Sequence, residues 1–261
     1  MDWEQVTTAR GIASRVLVGG SGQPMLFLHS ATGHTGMLPF LDQLCGIARV
    51  YAPEWPGFGE SGGEEQLEDM LDFTLHGWDI ADALGLERVA LSGHSMGAMI
   101  AAEMACLCPD RVTGLGLIAP AGLWLDDHPV PDIFATLPQE LPGLLFADPA
   151  QGAAVLTGGT DFSSDTALTE FFVGNARRLG TAGKILFPIP NRRLSKRLYR
   201  LRARTTLVWG EEDRLYPAAY AKRWAELVPA SQDVLVPRAG HMVPAEAPDA
   251  VVAALAELVS P

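Results

Sequence analysis

The sequence predicts an α/β fold in which a mostly parallel sheet is covered by helices on both faces. Between residues 25 and 118, short apolar segments with the length of strands alternate with longer segments of helical character. The predicted strands are continuous apolar runs, as in strands buried on both faces, and regular alternation of strand and helix is typical of parallel sheets. The alternation resumes at Thr205, so we expect both stretches to build one core.

Each element follows from the local pattern, in order along the chain. Residues 1–22 have the character of an antiparallel start, with a strand over 12–18 followed by the turn Gly19-Gly20-Ser21-Gly22. This glycine cluster precedes a strand instead of following one, which excludes a dinucleotide-binding loop. Apolar runs then predict strands over 25–29, 49–52, 88–91, 112–118, 206–209 and 233–236, and the segments between them predict helices over 38–45, 67–84 and 95–107.

The alternation stops after Gly122, and no clear strand pattern follows until Thr205. In this interval, prolines separate short apolar stretches with helical character. The sequence therefore predicts a core built from residues 1–122 and 201–261, with a mostly helical insertion over residues 123–200.

The most informative motif is Gly93-His94-Ser95-Met96-Gly97. It follows the apolar run Val89-Ala90-Leu91 and leads into a helical segment, and the pattern strand, G-x-S-x-G, helix is that of a nucleophile elbow. A side chain at either glycine would collide within so tight a turn. The helix that begins there directs unpaired N–H groups, and the positive end of its dipole, towards negative charge that forms beside Ser95. Ser95 is therefore the predicted nucleophile.

A catalytic serine needs a base and an acid that orients the base. Enzymes with this elbow carry them later in the chain, in the order Ser, Asp or Glu, His. Asp213 follows the strand predicted over 206–209, and His241 follows the strand predicted over 233–236. Sites in open α/β sheets form at the carboxyl ends of strands, where all three residues lie. Singly, Asp213 could belong to an acidic turn and His241 could be a surface histidine, but their joint occurrence favours a triad. Asp213 is preferred to the two glutamates before it because it lies farther beyond the strand, where the chain has turned towards His241.

With these motifs the chain resembles α/β-hydrolase-fold enzymes over nearly its whole length. The resemblance depends on the elbow and on four further segments, which are Leu28-His29-Ser30-Ala31, Pro56-Gly57-Phe58-Gly59-Glu60-Ser61, Trp209-Gly210-Glu211-Glu212-Asp213 with Pro217, and Gly240-His241 with Glu246 and Pro248. The family usually has His-Gly in place of His29-Ser30 and Asp in place of Glu54. The resemblance implies an eight-stranded, mostly parallel sheet. It also implies that the insertion over 123–200 is a helical cap (lid) that covers the elbow and supplies the substrate pocket.

The resemblance implies acyl transfer through a covalent ester of Ser95, with His241 as general base and Asp213 fixing its tautomer. The oxyanion hole is expected to combine the backbone N–H groups of Met96 and Ala31. This chemistry requires no metal and no organic cofactor. A serine at the elbow argues against the dehalogenase and epoxide-hydrolase branches, whose nucleophile is an aspartate. The candidate pocket residues are Ser30, Trp124, Phe171, Phe172 and Met242.

Three functions remain open. The first is hydrolysis of a carboxylic ester or lactone, the second is hydrolysis of a carbon–carbon bond in a 2-hydroxy-6-oxo-dienoate ring-cleavage product, and the third is a hydrolase-fold receptor without activity. Carbon–carbon hydrolases typically have tryptophan after the catalytic histidine, where this chain has Met242. Their substrates carry a carboxylate that needs a cationic partner. Arg177 and Arg178 are candidates for that partner, but we expect each to reach solvent, which favours the ester.

Composition limits the partners and the compartment. The net charge of −12 argues against nucleic acid or an anionic membrane surface as a partner. No segment approaches the ~18 unbroken apolar residues that span a membrane. The N-terminus has no signal-peptide pattern, and the 3 cysteines form no disulfide framework. We therefore expect a cytoplasmic monomer or homodimer that acts on a small molecule.

Two further features could suggest ligands. Residues 191–204 carry seven basic side chains and no acidic one, with leucines at helical spacing. We predict an amphipathic helix whose cationic face meets the acidic body of the protein. His29 and His34 could suggest a metal pair, but no third ligand accompanies them, so we expect structural roles for both.

Overall fold

The core of the molecule is an eight-stranded sheet. A computed structural model describes residues 1–158, 160–188 and 193–260. The strands are β1 (Asp2–Thr7), β2 (Ala13–Gly20), β3 (Pro24–Leu28), β4 (Arg49–Pro53), β5 (Val89–His94), β6 (Val112–Ile118), β7 (Arg204–Gly210) and β8 (Gln232–Val236). They lie in the order β1-β2-β4-β3-β5-β6-β7-β8, where β2 pairs antiparallel with both β1 and β4 and all other neighbours pair parallel. The predicted fold class, an α/β fold with a mostly parallel eight-stranded sheet, is confirmed.

Helices cover both faces of the sheet. They are α1 (Leu38–Leu44), α2 (Met70–Ala83), α3 (Met96–Leu107), α4 (Leu141–Leu145), α5 (Pro149–Thr157), α6 (Asp165–Leu186), α7 (Ala218–Leu227), α8 (Val243–Glu246) and α9 (Pro248–Leu255). α2 packs against α3, which lies on β3, β5 and β6, whereas α1 packs against α9, which lies on β7. Every residue of β5 is buried, as expected for a strand covered on both faces. In the described part of the chain, no helix is long and apolar enough to cross a membrane.

The chain between β6 and β7 contains helices α4, α5 and α6 and, within its described residues, no strand. α6 has 22 residues, of which only three near its C-terminal end are buried. Its polar side chains contact the loop after β4: Arg177 Nε donates to Glu64 Oε1 at 2.6 Å, and Lys184 Nζ donates to the Glu64 carbonyl oxygen at 2.6 Å. The insertion is therefore attached to the core through charged contacts as well as through a small buried face.

The prediction of an amphipathic α-helix over residues 191–204 is wrong. Leu194–Lys196 and Leu198–Arg200 are short 3₁₀ turns, and residues 191 and 192 lie outside the described residues. The arginines of the segment nonetheless meet the acidic core, in the pairs Arg197–Glu103, Arg202–Asp110 and Arg204–Glu257. A regular helix would present its cations on one face, whereas these arginines reach partners on separate elements.

Candidate active site

Ser95 lies at the turn between β5 and α3. Its backbone has φ 55° and ψ −113°, a conformation that costs energy for a residue with a side chain and persists only where its surroundings enforce it. The Ser95 N–H donates to the Ile118 carbonyl at 2.8 Å, and the Ser95 carbonyl accepts from the Ala121 N–H at 3.1 Å. The end of β6 and the residues after it thus hold the strained turn in place.

The glycines on either side of Ser95 make the turn possible. A Cβ on Gly97 would collide with the carbonyl oxygens of Leu28 and His29, and a Cβ on Gly93 would lie 2.6 Å from the carbonyl carbon of Gly97. Only residues without a side chain allow the strands and the helix to approach so closely. The strand, tight turn and helix predicted for this segment are therefore present.

The predicted oxyanion donors are the backbone N–H groups of Met96 and Ala31. Neither N–H has a hydrogen-bond acceptor among the described residues. Met96 is the first residue of α3, so its N–H belongs to the unpaired first turn at the positive end of the helix dipole. The loop of Ala31 is closed by a hydrogen bond from the Gly33 N–H to the Ser30 carbonyl at 3.0 Å and by a 2.8 Å hydrogen bond between the Ser30 and Thr32 hydroxyls. Serine at this position therefore takes part in the hydrogen bonding of the loop.

Asp213 is buried in the loop after β7, and both of its carboxylate oxygens are hydrogen-bonded. Oδ1 accepts from the N–H groups of Leu215 at 2.9 Å and Tyr216 at 2.8 Å, and Oδ2 lies 2.9 Å from Nδ1 of His241. An aspartate that accepts from the backbone just after it is held in one orientation. The two glutamates before it are exposed, so the fold brings Asp213 to His241 in preference to either of them.

The contact with Asp213 assigns the tautomer of His241. An ionised carboxylate only accepts hydrogen bonds, so the proton of the neutral His241 ring is on Nδ1, and Nε2 keeps a lone pair. The loops that carry the two residues are joined by the Glu212 N–H, which donates to the Ala239 carbonyl at 2.9 Å. An imidazole in this tautomer can take a proton at Nε2.

Glu246 joins the loop of His241 to the insertion. One carboxylate oxygen accepts from the Gly240 N–H at 2.8 Å, and the other accepts from the Ala147 N–H at 2.7 Å. The Met242 N–H donates to the Leu145 carbonyl at 2.9 Å. The residues on both sides of the histidine are therefore fixed to the segment between α4 and α5. In the sequence, the feature that accompanies this bridging role is the position of Glu246 shortly after His241.

Ser95 borders a narrow, mostly apolar cavity. Its volume is about 30 Å³, room for one or two water molecules, whereas ligand sites of ordinary size have ~300 Å³ or more. Ala31 contributes to the wall from the loop after β3. The insertion contributes Phe134 and Leu186, and the loop after β7 contributes Tyr216.

The insertion aromatics predicted to face Ser95 lie elsewhere. Trp124 is half-buried and outside the wall of the Ser95 cavity, Phe171 lines a different cavity, and Phe172 is 57% exposed. Phe134 and Leu186 occupy the wall instead. Which residues of the insertion meet the elbow depends on how α6 and the preceding loops lie over the core, and no local pattern in the sequence reports this.

The other two pocket candidates, Ser30 and Met242, are buried on the loops that carry Ala31 and His241. Met242 Sδ lies 4.0 Å from the Thr32 hydroxyl. Neither residue is part of the described wall of the Ser95 cavity. Their observed contacts are with the loops that frame the cavity.

A larger cavity of about 380 Å³ lies between α5, α6 and the loop after β3, and its described lining does not include Ser95. Arg178 extends into it: Nη1 donates to the Thr32 carbonyl at 3.2 Å, and Nη2 contacts Asn175 Oδ1. Nε has no hydrogen-bond partner in the described part of the molecule. Burial lowers the pKa of Arg178. Arg178 is therefore half-buried against the cavity, whereas Arg177 lies at the surface and pairs with Glu64.

His29 and His34 stack edge to face, with ring centroids 5.0 Å apart. His29 donates from Nδ1 to the Ser30 carbonyl at 2.7 Å and accepts at Nε2 from the Trp55 N–H at 3.1 Å, so it is a fully satisfied structural residue. Burial lowers the pKa of His34 to about 4, and neither of its nitrogens has a partner among the described residues. The described chain contains no group of three or more acidic, histidine or cysteine side chains arranged to hold a metal ion.

Comparisons with known proteins identify the family and the fold. The model of the family described as "Alpha/beta hydrolase family" matches residues 25–254. The chain is 28% identical over 244 residues to the dihydrolipoyllysine-residue acetyltransferase component of the acetoin cleaving system of Pseudomonas putida, an alignment that covers 90% of this chain and 63% of that protein. The chain thus spans less than two thirds of that relative.

Two further proteins are similar in sequence or in fold. The chain is 28% identical over 220 residues to the 2-hydroxy-6-oxo-6-phenylhexa-2,4-dienoate hydrolase of Burkholderia cepacia, with 77% of this chain and 73% of that protein covered. A thermophilic esterase from Thermogutta terrifontis superposes with a TM-score of 0.75 at 24% identity, over 100% of both chains.

Proposed function

The chain belongs to the alpha/beta hydrolase family, and we propose that it hydrolyses a carboxylic ester, including lactones, through a covalent acyl-enzyme on Ser95. The observation that carries this proposal is the 2.9 Å contact between Asp213 and His241, because it selects the tautomer whose Nε2 can accept a proton. The strained turn at Ser95 supports it, as do the N–H groups of Met96 and Ala31, which have no acceptor among the described residues.

In the proposed first step, Nε2 of His241 takes the hydroxyl proton of Ser95 while Oγ attacks the ester carbonyl carbon. Asp213 stabilises the imidazolium that forms, and the N–H groups of Met96 and Ala31 bind the oxyanion. The tetrahedral intermediate collapses when His241 returns the proton to the leaving alcohol, which leaves the acyl group on Ser95. Water then attacks the acyl group as His241 removes its proton. When the second intermediate collapses, the bond to Oγ breaks and His241 gives that proton to Oγ, which releases the acid and restores Ser95.

We also propose that residues 123–200 act as a cap over a core of residues 1–122 and 201–261. The Ser95 cavity of about 30 Å³ is smaller than an ordinary substrate, so entry requires the insertion to move. α6 is attached to the core largely by polar contacts, which can be exchanged for water. The segment between α4 and α5, in contrast, is fixed to the loop of His241. Opening is therefore assigned to α6.

A second candidate function is hydrolysis of a carbon–carbon bond in a 2-hydroxy-6-oxo-dienoate, the substrate type named for the relative from Burkholderia cepacia. Arg178 favours it, because a guanidinium that borders a cavity without an ion-pair partner among the described residues suits a substrate carboxylate. Met242 after His241, and the separation of Arg178 and Ser95 into different cavities, favour the ester.

The first prediction concerns the triad. Ser95→Ala is expected to lower kcat for short aryl esters by about 10⁶. Asp213→Asn is expected to lower it by about 10⁴ with the fold retained, because the amide favours the wrong tautomer of His241. The exposed neighbour provides the matched control, and Glu212→Gln should remain close to wild type. Thermal melting checks the fold of each variant.

If Asp213→Asn and Glu212→Gln were equally active, Asp213 would not be the acid of the triad. A wild-type protein that hydrolyses no aryl ester, lactone or dienoate would instead favour the third possibility, a hydrolase-fold receptor without activity.

The second prediction concerns the acyl pocket. Phe134 borders the narrow cavity at Ser95, so wild type should prefer acetyl over butyryl aryl esters. Phe134→Ala is expected to raise the butyryl-to-acetyl ratio of kcat/KM by about tenfold, within the range that pocket methylenes provide. Phe171→Ala removes an aromatic ring from the other cavity and should leave the ratio unchanged. A larger shift from Phe171→Ala than from Phe134→Ala would contradict the assigned pocket.

The third prediction separates the two candidate functions. We expect wild type to have a higher kcat/KM for a short aryl ester than for 2-hydroxy-6-oxo-6-phenylhexa-2,4-dienoate. Arg178→Gln should leave the ester value within about threefold, because the ester has no anionic group for that side chain to bind. Arg177→Gln, which loses the pair with Glu64, is the control. The opposite outcome would be a preference of more than about a hundredfold for the dienoate that is lost in Arg178→Gln and kept in Arg177→Gln. It would establish the second function in place of ester hydrolysis.

A further inference from the structure

His94, inside the elbow motif, contacts the loop of the proposed base. Its ring is fully buried, and Nε2 lies 2.8 Å from the main-chain carbonyl oxygen of His241. A carbonyl oxygen only accepts, so Nε2 of His94 carries a proton and donates it. Nδ1 has no hydrogen-bond partner among the described residues, so the only hydrogen bond of this side chain is the one to His241.

The His94 ring stays uncharged. Burial, with a further contribution from the nearby His241, lowers the pKa of His94 to about 3. The ring centroids of the two histidines are 5.0 Å apart, so a charge on His94 would oppose the imidazolium that His241 forms when it takes the Ser95 proton. A neutral donor contacts the loop without that repulsion.

Other groups hold the His241 loop, but none of them belongs to the nucleophile strand. Asp213 binds the His241 ring, Glu246 binds the N–H before it, and the Leu145 carbonyl binds the N–H after it. His94 is the last residue of β5 and directly precedes Ser95. Its hydrogen bond is therefore a direct link between the strand that precedes Ser95 and the main chain of His241.

We infer that His94 is a positioning residue that fixes the distance between Ser95 and His241 by donating a hydrogen bond to the His241 carbonyl. The inference rests on the proposed function of Ser95 as nucleophile and His241 as base. If the bond is lost, the carbonyl is left unpaired in a buried site, and the loop can shift relative to the elbow. Displacement of a base by ~1 Å can lower a rate on the order of 10²-fold.

The test compares donor and donor-free replacements at position 94. His94→Gln keeps an N–H donor at similar reach, and His94→Leu fills the space without one. The primary measurement is the rate constant for reaction with a fluorophosphonate, in which Ser95 Oγ displaces fluoride from phosphorus as the hydroxyl proton passes to His241. Steady-state kcat and KM on an aryl ester and the thermal melting temperature are measured on the same samples.

We expect His94→Leu to lower both the fluorophosphonate rate constant and kcat by about 10²-fold with KM nearly unchanged, and His94→Gln to recover most of the loss. If His94 only supports the fold, its substitution would lower the melting temperature without lowering kcat at a nearly constant KM. Equal rates in wild type and His94→Leu, or equal losses in both variants, would overturn the inference.

A measurement on wild type covers the case in which His94→Leu does not fold. Histidine ¹⁵N NMR between about pH 5 and 8 should find His94 neutral with its proton on Nε2 throughout, and a proton on Nδ1 or a charged ring would overturn the inference. A wild-type protein that is inert to the fluorophosphonate would instead refute the proposed function, which the histidine spectra do not depend on.

Discussion

The close contact between the first turn of α3 and the end of β3 is the constraint on which the rest of the site depends. Gly97 has no room for a side chain against the carbonyl oxygens of Leu28 and His29, so the helix begins directly against the loop after β3. This contact places the start of α3 beside the loop that carries Ala31, as the proposed oxyanion hole requires. Beside it, Ser95 is kept at φ 55° by its hydrogen bonds to Ile118 and Ala121, since such a conformation persists only where its surroundings enforce it.

The order of the strands places the loops that carry Asp213 and His241 near this turn. β5, β6, β7 and β8 are neighbours, so the loops at their carboxyl ends adjoin one another. The loops after β7 and β8 form a single unit, because Gly210 packs against the backbone of Gly240 and the Glu212 N–H binds the Ala239 carbonyl. Residues distant in sequence are therefore held together by main-chain contacts, and the side chain of His94 adds a direct bond from the nucleophile strand.

The sequence was sufficient for those features that depend on local patterns. The elbow around Ser95 needs only a buried strand, two glycines and a helix, and these lie within a few residues of one another. The wall of the Ser95 cavity depends instead on how the insertion packs, so no sequence pattern indicates that Phe134 lines it or that Phe172 is exposed. Arg177 and Arg178 are adjacent and share the same local sequence, yet of the two only Arg178 lines a described cavity. The rotation of α6 about its axis decides which of these side chains faces the core.

Mass spectrometry can test whether the constrained turn presents Ser95 as a nucleophile. The protein is treated with a fluorophosphonate probe, its intact mass is measured, and the modified residue is located by peptide mapping. We expect one adduct per chain, located on Ser95 and absent when Ser95 is replaced by alanine. An unmodified wild-type protein, or an adduct that persists undiminished in Ser95→Ala, would contradict it.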